Sequence, residues 1–154
     1  MTDFKILTGT EVAAMTTELN SLANGSAAAA SGSWDNSAGL WPYVHGLLTV
    51  TFASEPTALA TCSLFLVPSF DGTNFSYHVT GASPFVPTGF LLGYFVLNNV
   101  TTIQRVPLSL LGPMAQLPQL PAYKLKPVLW SNAGAAFPAS GSQMSLFPQS
   151  WKSV

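Results

Sequence analysis

Two apolar runs and a turn follow one another in residues 43–77, which read YVHGLLTVTFASEPTALATCSLFLVPSFDGTNFSY. Residues 44–52 alternate between two faces, as a half-buried strand does. Residues 59–67 have little polarity on either face, which predicts a strand near the middle of a sheet covered on both sides. Asp71 and Gly72 tolerate positive φ, so a tight turn is expected after the second strand. This stretch predicts the start of an antiparallel sheet.

Further strand patterns follow at hairpin spacing, separated by loops rich in glycine and proline. Pro107 lacks an amide hydrogen and predicts an edge strand or a bulge at its position. No later segment has a helical pattern long enough for a crossover. The expected fold class is therefore all-β, an antiparallel β-sandwich or jelly-roll-like fold. The further strands are predicted in residues 75–79, 90–98, 101–111, 123–131 and 143–147.

The N-terminal segment has a helical pattern. Residues 8–11 read TGTE and fit a capping box, in which a threonine and a glutamate satisfy amide groups at the start of a helix. A short helix is expected from there to about residue 23, with one apolar stripe that docks on the sandwich or on a neighbouring subunit. The stripe consists of Val12, Met15, Leu19 and Leu22.

Residues 24–37 have a different composition, dominated by glycine, serine and alanine. A flexible tether is the simplest interpretation of that composition. Continuation of the helix through the four alanines at 27–30 is the alternative, although Gly25 and Gly32 interrupt it. The domain organisation expected is an N-terminal arm and tether in residues 1–37 and a β-sandwich domain in residues 38–154.

The chain is poor in charge. Charged residues make up 7% of it and hydrophobic residues 48%, whereas roughly 25% charged residues is typical of soluble domains. Surface charge keeps a freely diffusing monomer soluble, so much of the outer surface is expected to meet another protein. Five scattered basic residues argue against nucleic-acid binding. No apolar run approaches the about 20 residues of a membrane-spanning helix, so no membrane association is expected.

The titratable residues do not form a pattern that indicates a reaction. The six carboxylates are scattered, and Asp35 and Asp71 are expected to form turns. His45, Cys62 and His78 lack the paired spacing of a metal site, and Cys62 is expected to be a buried thiol within a strand. Neither a nucleophile elbow nor a phosphate-binding loop occurs. The sequence predicts a protein that is not an enzyme and has no cofactor or metal.

Aromatic residues supply the other candidate contacts. Trp34 and Trp41 lie beside the predicted tether and Trp151 lies near the C-terminus. Tryptophan is enriched at subunit interfaces, so these three residues and the apolar stripe of the arm form the candidate interface. The alternative is a row of exposed aromatics that stacks on sugar rings, as in a carbohydrate-binding module.

The order of elements resembles that of small β-sandwich structural proteins encoded by tailed bacteriophages. The resemblance covers roughly residues 43–147 and consists mainly of turn signatures. It is carried by Leu64-Phe65-Leu66-Val67-Pro68, Asp71-Gly72-Thr73-Asn74-Phe75, Gln104-Arg105-Val106, Tyr123-Lys124-Leu125, Asn132-Ala133-Gly134 and Ala136-Phe137-Pro138-Ala139-Ser140-Gly141.

This resemblance implies a virion component, synthesised in the host cytoplasm, that decorates the capsid and clamps neighbouring coat subunits. The implied partners are the major capsid protein and further copies of the chain, as a trimer or dimer. A tail, neck or baseplate adaptor would have a similar composition. Two alternatives from other classes are a carbohydrate-binding module for host attachment and a hydrolase built around His45 or His78.

Overall fold

A computed structural model describes residues 4–69, 71–75, 89–110 and 124–153, with the backbone alone at residues 4, 110 and 151–153. The described part consists of eleven strands and one short 3-10 turn at Thr17–Leu19. The strands are β1 Phe4–Thr8, β2 Val12–Met15, β3 Ala27–Ala29, β4 Trp34–Asp35, β5 Tyr43–Val50, β6 Thr61–Ser69, β7 Phe90–Val96, β8 Gln104–Pro107, β9 Ser109–Leu110, β10 Lys124–Asn132 and β11 Gln143–Ser153.

The strands form two antiparallel sheets in a sandwich-like arrangement. The first sheet has the order β1-β11-β5-β8, and β2 pairs with the same edge of β11 as β1 does. The second has the order β3-β10-β6-β7-β9, and β4 also pairs with β10. The main core contains side chains of both sheets, among them Leu48 of β5 and Leu64 of β6, both fully buried. The predicted all-β antiparallel class is confirmed.

The two apolar runs within residues 43–77 form β5 and β6, in different sheets. Leu48, Val50 and Phe52 are buried, as their alternation predicted. β6 lies between β10 and β7, and its residues 64–67 are all buried, because a second cluster that contains Phe65 covers its outer face. The predicted central position of this strand is confirmed. The expectation that the two runs begin one antiparallel sheet is wrong, because the break between them connects the two sheets.

One edge of the sandwich is formed by a chain segment that changes sheets. β8 is the edge strand of the first sheet, and Pro107 at its end pairs with Leu47. The amide of Leu108 donates to the carbonyl oxygen of Gly46 at 2.8 Å, after which β9 pairs with β7 in the second sheet. The edge position predicted from Pro107 is therefore correct. The strand predicted in residues 75–79 lies mostly outside the described residues.

The helix predicted for residues 8–23 is not present, and that prediction is wrong. Instead β2 pairs with residues 144–146 of β11, and the chain then makes only the 3-10 turn. A single short helix is marginally stable in water. β5 pairs with one edge of β11, and β2 supplies hydrogen-bond partners for the backbone groups of the opposite edge. These tertiary hydrogen bonds override the local helical pattern.

The stretch assigned to a flexible tether contains β3 and β4, both paired with β10. Ala28 and Ala30 belong to the main core, while Ala27 and Ala29 pack on the outer cluster. Small side chains suit an edge strand with little room on either face. The two-part division at residue 37 stays a prediction, although strands from the first part pair in both sheets.

We expect Leu19→Ala to destabilise the fold, because Leu19 is fully buried in the main core. Removal of a buried leucine side chain costs about 2–5 kcal/mol. Thr17→Ala, an exposed position in the same turn, should change the free energy of unfolding by less than about 0.5 kcal/mol. Urea denaturation of both variants measures the difference, and equal midpoints would contradict this account of the N-terminal segment.

A second prediction concerns Gly134, which has φ of 76° and lies against the side chain of Thr57. An alanine there would have to adopt this left-handed conformation, and its methyl group would collide with the side chain of Thr57. Gly25 has φ of 75°, but no atom lies within 4 Å of the position that an added methyl group would take. Gly134→Ala should therefore lower the free energy of unfolding by about 1–3 kcal/mol more than Gly25→Ala does. Equal losses in thermal denaturation would show that the collision is relieved.

Candidate interaction surfaces

Most of the predicted interface residues lie inside the chain's own core. Met15, Leu19, Leu22 and Trp34 are buried, and Val12 is half-buried against the same cluster. In this fold those side chains belong to or pack against the molecule's own core, which contains residues of both sheets. Surface available to a partner must therefore be sought elsewhere.

Trp41 is half-buried and braces the connection into β5. Its amide donates to Asn36 Oδ1 at 2.9 Å and its carbonyl oxygen accepts from Asn36 Nδ2 at 2.9 Å. The indole lies against Gly9 and Gly39, where a methyl group would collide with it. Trp151 lies opposite Ile6 in the β1–β11 ladder, and its side chain lies outside the described part.

A groove of about 210 Å³ lies between β2 and the segment that joins β3 to β4. Glu18 lies in it, where Oε2 accepts from the Thr16 amide at 2.9 Å and Oε1 from the Ser31 amide at 2.8 Å. Burial alone would raise the pKa of Glu18, but the hydrogen bonds from Ser31 and Thr16 outweigh it and lower the pKa to about 2. The carboxylate thus connects the 3-10 turn to the second sheet.

This geometry predicts an acid-sensitive contact. Because the pKa of Glu18 is lower in the folded chain than its usual 4.5, ionised Glu18 stabilises the fold above that value, and the contribution is lost as pH falls towards about 2. Glu18→Gln should make the melting temperature less dependent on pH in that range. Glu11→Gln, at an exposed glutamate of the same segment, is the control, and identical pH profiles for the two variants would contradict the role of Glu18.

The other candidate chemical groups are dispersed or buried. Cys62 is a fully buried free thiol, as predicted, and burial raises its pKa to about 12. Burial lowers the pKa of the half-buried His45. His78 lies outside the described residues. Within the described ranges no three residues of the types histidine, cysteine, aspartate and glutamate come together as a metal-binding group.

The two predicted turn-forming aspartates do form turns. Asp71 Oδ1 accepts from the amides of Thr73 and Asn74 at 2.8 Å and 2.7 Å, and these bonds hold its pKa below the usual range. Asp35 Oδ1 accepts from the amide of Ser37 at 2.9 Å. Both carboxylates thus stabilise the local backbone, as the sequence indicated.

The most exposed large apolar side chain described is Leu59, 77% exposed at the entry to β6. It is the third residue of a turn closed by a hydrogen bond from the Ala60 amide to the Thr57 carbonyl oxygen, 3.0 Å. Its φ is 59°, a conformation that glycine or asparagine usually takes in such turns. A leucine there costs about 1–2 kcal/mol of backbone strain, and its exposed side chain offsets little of that cost.

This turn is held firmly on two sides. The Thr57 amide donates to the carbonyl oxygen of Ala133 at 2.9 Å, and the Leu97 amide donates to that of Ala60 at 2.8 Å. The scaffold therefore holds the Leu59 backbone in place and directs the side chain into solvent.

Three more exposed apolar residues belong to the same end of the sandwich, namely Val96, Val100 and Ile103. Val96 pairs with Thr61, two residues after Leu59. The loop from β7 to β8 is closed by Gln104, whose side chain accepts from the Asn98 amide at 2.9 Å and donates to the carbonyl oxygens of Asn98 and Val100. We call Leu59, Val96, Val100 and Ile103 the Leu59 surface.

A second exposed leucine lies at the opposite end. Leu40 is 63% exposed and has φ of 46°. Its amide donates to the carbonyl oxygen of Asn36 at 2.9 Å, and the side chain of the same Asn36 holds the backbone of Trp41. Leu40 precedes β5, whereas Leu59 follows it. β5 has eight residues and is roughly 24 Å long, and this length separates the Leu40 end of the sandwich from the Leu59 end. The molecule therefore presents an exposed leucine in a left-handed conformation at each end.

Sequence reasoning missed both leucines. Leucine is not a turn-forming residue, so its type gives no sign of a positive φ. Pro56 marks a break near Leu59, but only the turn geometry shows where the side chain points.

Comparison with protein-family models, curated proteins and solved structures found no match to this chain. No helix in the described ranges is long and apolar enough to cross a membrane.

Proposed function

We propose that this protein is a structural component of a tailed-phage virion, a capsid decoration or cement protein that binds neighbouring coat subunits. The observation that carries the proposal is the pair of strained, exposed leucines, Leu40 and Leu59, at opposite ends of the sandwich. Unfavourable backbone conformations that give no internal packing are typical of functional sites. Contacts with other proteins account for both side chains.

The arrangement suits a protein that bridges two partners. A clamp needs at least two contact surfaces on one rigid body, and Leu40 and the Leu59 surface provide them. The chain's few charges, 7% of residues, also favour a lasting association, because permanent interfaces are larger and more apolar than transient ones. Burial of this apolar surface between coat subunits would stabilise the closed shell against the pressure of packaged DNA.

The proposal has three further parts. The sandwich is a jelly-roll-like fold, and the chain is synthesised in the host cytoplasm. The chain also associates with copies of itself as a dimer or trimer. A tail, neck or baseplate position uses the same two surfaces and is the alternative within the virion. For the carbohydrate-binding alternative the described side chains offer no row of exposed aromatics, since Trp34 is buried, Trp41 and Trp130 are half-buried, and Phe90 is the one exposed aromatic side chain among them.

The Leu59 surface can be tested with Leu59→Gly. Glycine takes the positive φ without strain, so the free energy of unfolding should stay within about 1 kcal/mol of the wild type or rise slightly. Loss of a leucine side chain that becomes buried on binding should weaken attachment to particles by roughly 10- to 100-fold. Co-sedimentation of purified variants with particles that lack the protein measures attachment.

Ala58→Gly is the matched control, because it loosens the same exposed turn and keeps the leucine side chain. It should bind particles like the wild type. If Leu59→Gly also binds at full occupancy, the Leu59 surface is not the contact, and the same pair of measurements should then be made at Leu40.

The position on the virion is tested by cryo-electron microscopy of particles with and without the protein. Density lost from the outer capsid surface at lattice symmetry axes would support the cement role and give the copy number. Density lost from the tail would support the adaptor alternative. If no density is lost from the particle, both the cement role and the adaptor alternative are refuted.

A further inference from the structure

The first and last strands form a ribbon that extends beyond the sandwich. β1 pairs with residues 149–153 of β11, whereas β5 reaches only Gln149 on the other side of β11. The described side chains of β1, those of residues 5–8, are all exposed, and Ile6 and Leu7 are 47% and 37% exposed. Among the described residues β1 pairs with β11 alone. An isolated two-stranded ribbon is only marginally stable in water.

One hydrogen bond next to β1 shows which of its residues direct their backbone groups at β11 and which direct them outward. The Gly9 amide donates to the carbonyl oxygen of Pro148 at 2.8 Å, and Thr8 lies opposite Gln149 in the ladder. In antiparallel pairs, alternate residues direct both backbone groups at the partner strand. Leu7 and Lys5 therefore direct theirs at β11, while Ile6 and Thr8 direct theirs outward.

We propose that the outer edge of β1 pairs with the β1 edge of a second copy of this chain, antiparallel and centred on Ile6. A twofold axis at Ile6 places the outward amide and carbonyl groups of the two Ile6 residues against each other. The same axis places Phe4 opposite Thr8 of the second copy, so all five residues of β1 are paired. The first sheet then continues through the axis, and each ribbon gains a neighbour.

The charges of β1 are compatible with this register. The axis at Ile6 places Lys5 opposite the uncharged Leu7 of the second copy, and the two Lys5 residues lie two positions apart. Like charges directly opposite each other are destabilising. Lys5 already lies opposite Lys152 within the ribbon, and this register adds no further directly opposed pair of lysines between copies. One apolar side chain on each face of β1, Ile6 and Leu7, becomes covered. The contact is short, so we expect a weak dimer that other contacts reinforce.

This inference supplies a mechanism for the self-association included in the proposed function, and it can fail independently. The β1 edge contains none of the residues of the Leu59 surface, and the purified protein tests it without any particle. A dimer that does not attach to capsids would refute the virion role alone. A monomer that does attach would refute this inference alone.

Cysteine cross-linking tests the register. Cα atoms of a hydrogen-bonded antiparallel pair are about 5.5 Å apart, within the range of a disulfide, so Ile6→Cys should give a covalent dimer under mild oxidation. The Cα atoms of the two residues 5 would be roughly 8 Å apart, too far for a disulfide, so Lys5→Cys should give no covalent dimer. The natural Cys62 adds no background, since it is fully buried.

A backbone variant provides the second measurement. Ile6→Pro removes an outward amide that β11 does not use, so the ribbon should persist while the dimer is lost. Sedimentation equilibrium should show the apparent mass of the wild type rising from 16.2 kDa towards twice that value with concentration. Ile6→Val, which keeps the amide, should behave like the wild type, and Ile6→Pro should stay at the monomer mass.

Two results would overturn the proposal. One is equal cross-linking of Ile6→Cys and Lys5→Cys, since random collision would then explain both. The other is absence of the Ile6→Cys dimer together with a monomeric wild type at millimolar concentration.

Discussion

The open edges of β10 and β11 are the constraint on which the rest of the structure depends. Each of these strands pairs along one edge with a long strand, β6 or β5, and would leave its other edge without backbone partners. The N-terminal segment supplies those partners, since β1 and β2 pair with β11 while β3 and β4 pair with β10. Buried amide and carbonyl groups need partners. The early part of the chain is therefore drawn into both sheets, and Leu19 and Leu22 fill the core where it crosses between them.

The same constraint explains which surfaces remain. Once Met15 and Trp34 are buried, the exposed apolar side chains concentrate at the sandwich ends and on β1. Leu59 is held by hydrogen bonds at Thr57 and Ala60, so its exposure follows from the fold. This conformation costs free energy and adds no internal packing, which is the observation that supports the proposed contact with another protein.

The proposed contacts act in different directions. Leu40 and the Leu59 surface lie at opposite ends of the sandwich, and the β1 edge continues the first sheet sideways. A molecule with contacts in three directions can connect copies of itself and bridge other subunits at once. In such a lattice, weak individual contacts become strong together, because binding at one site raises the effective concentration at the next.

The sequence by itself determined the all-β class, the buried face of β5, the central position of β6, the edge at Pro107 and the buried thiol of Cys62. Those features depend on the period-2 alternation and on the chemistry of single residues, which are local properties. Only the tertiary structure decided that residues 12–15 form a strand, that residues 27–29 pair with β10, and that Leu40 and Leu59 point into solvent. The reason is physical: strand pairing is a contact between distant segments, and a β-strand gains its stability from the partner edge more than from its own residues.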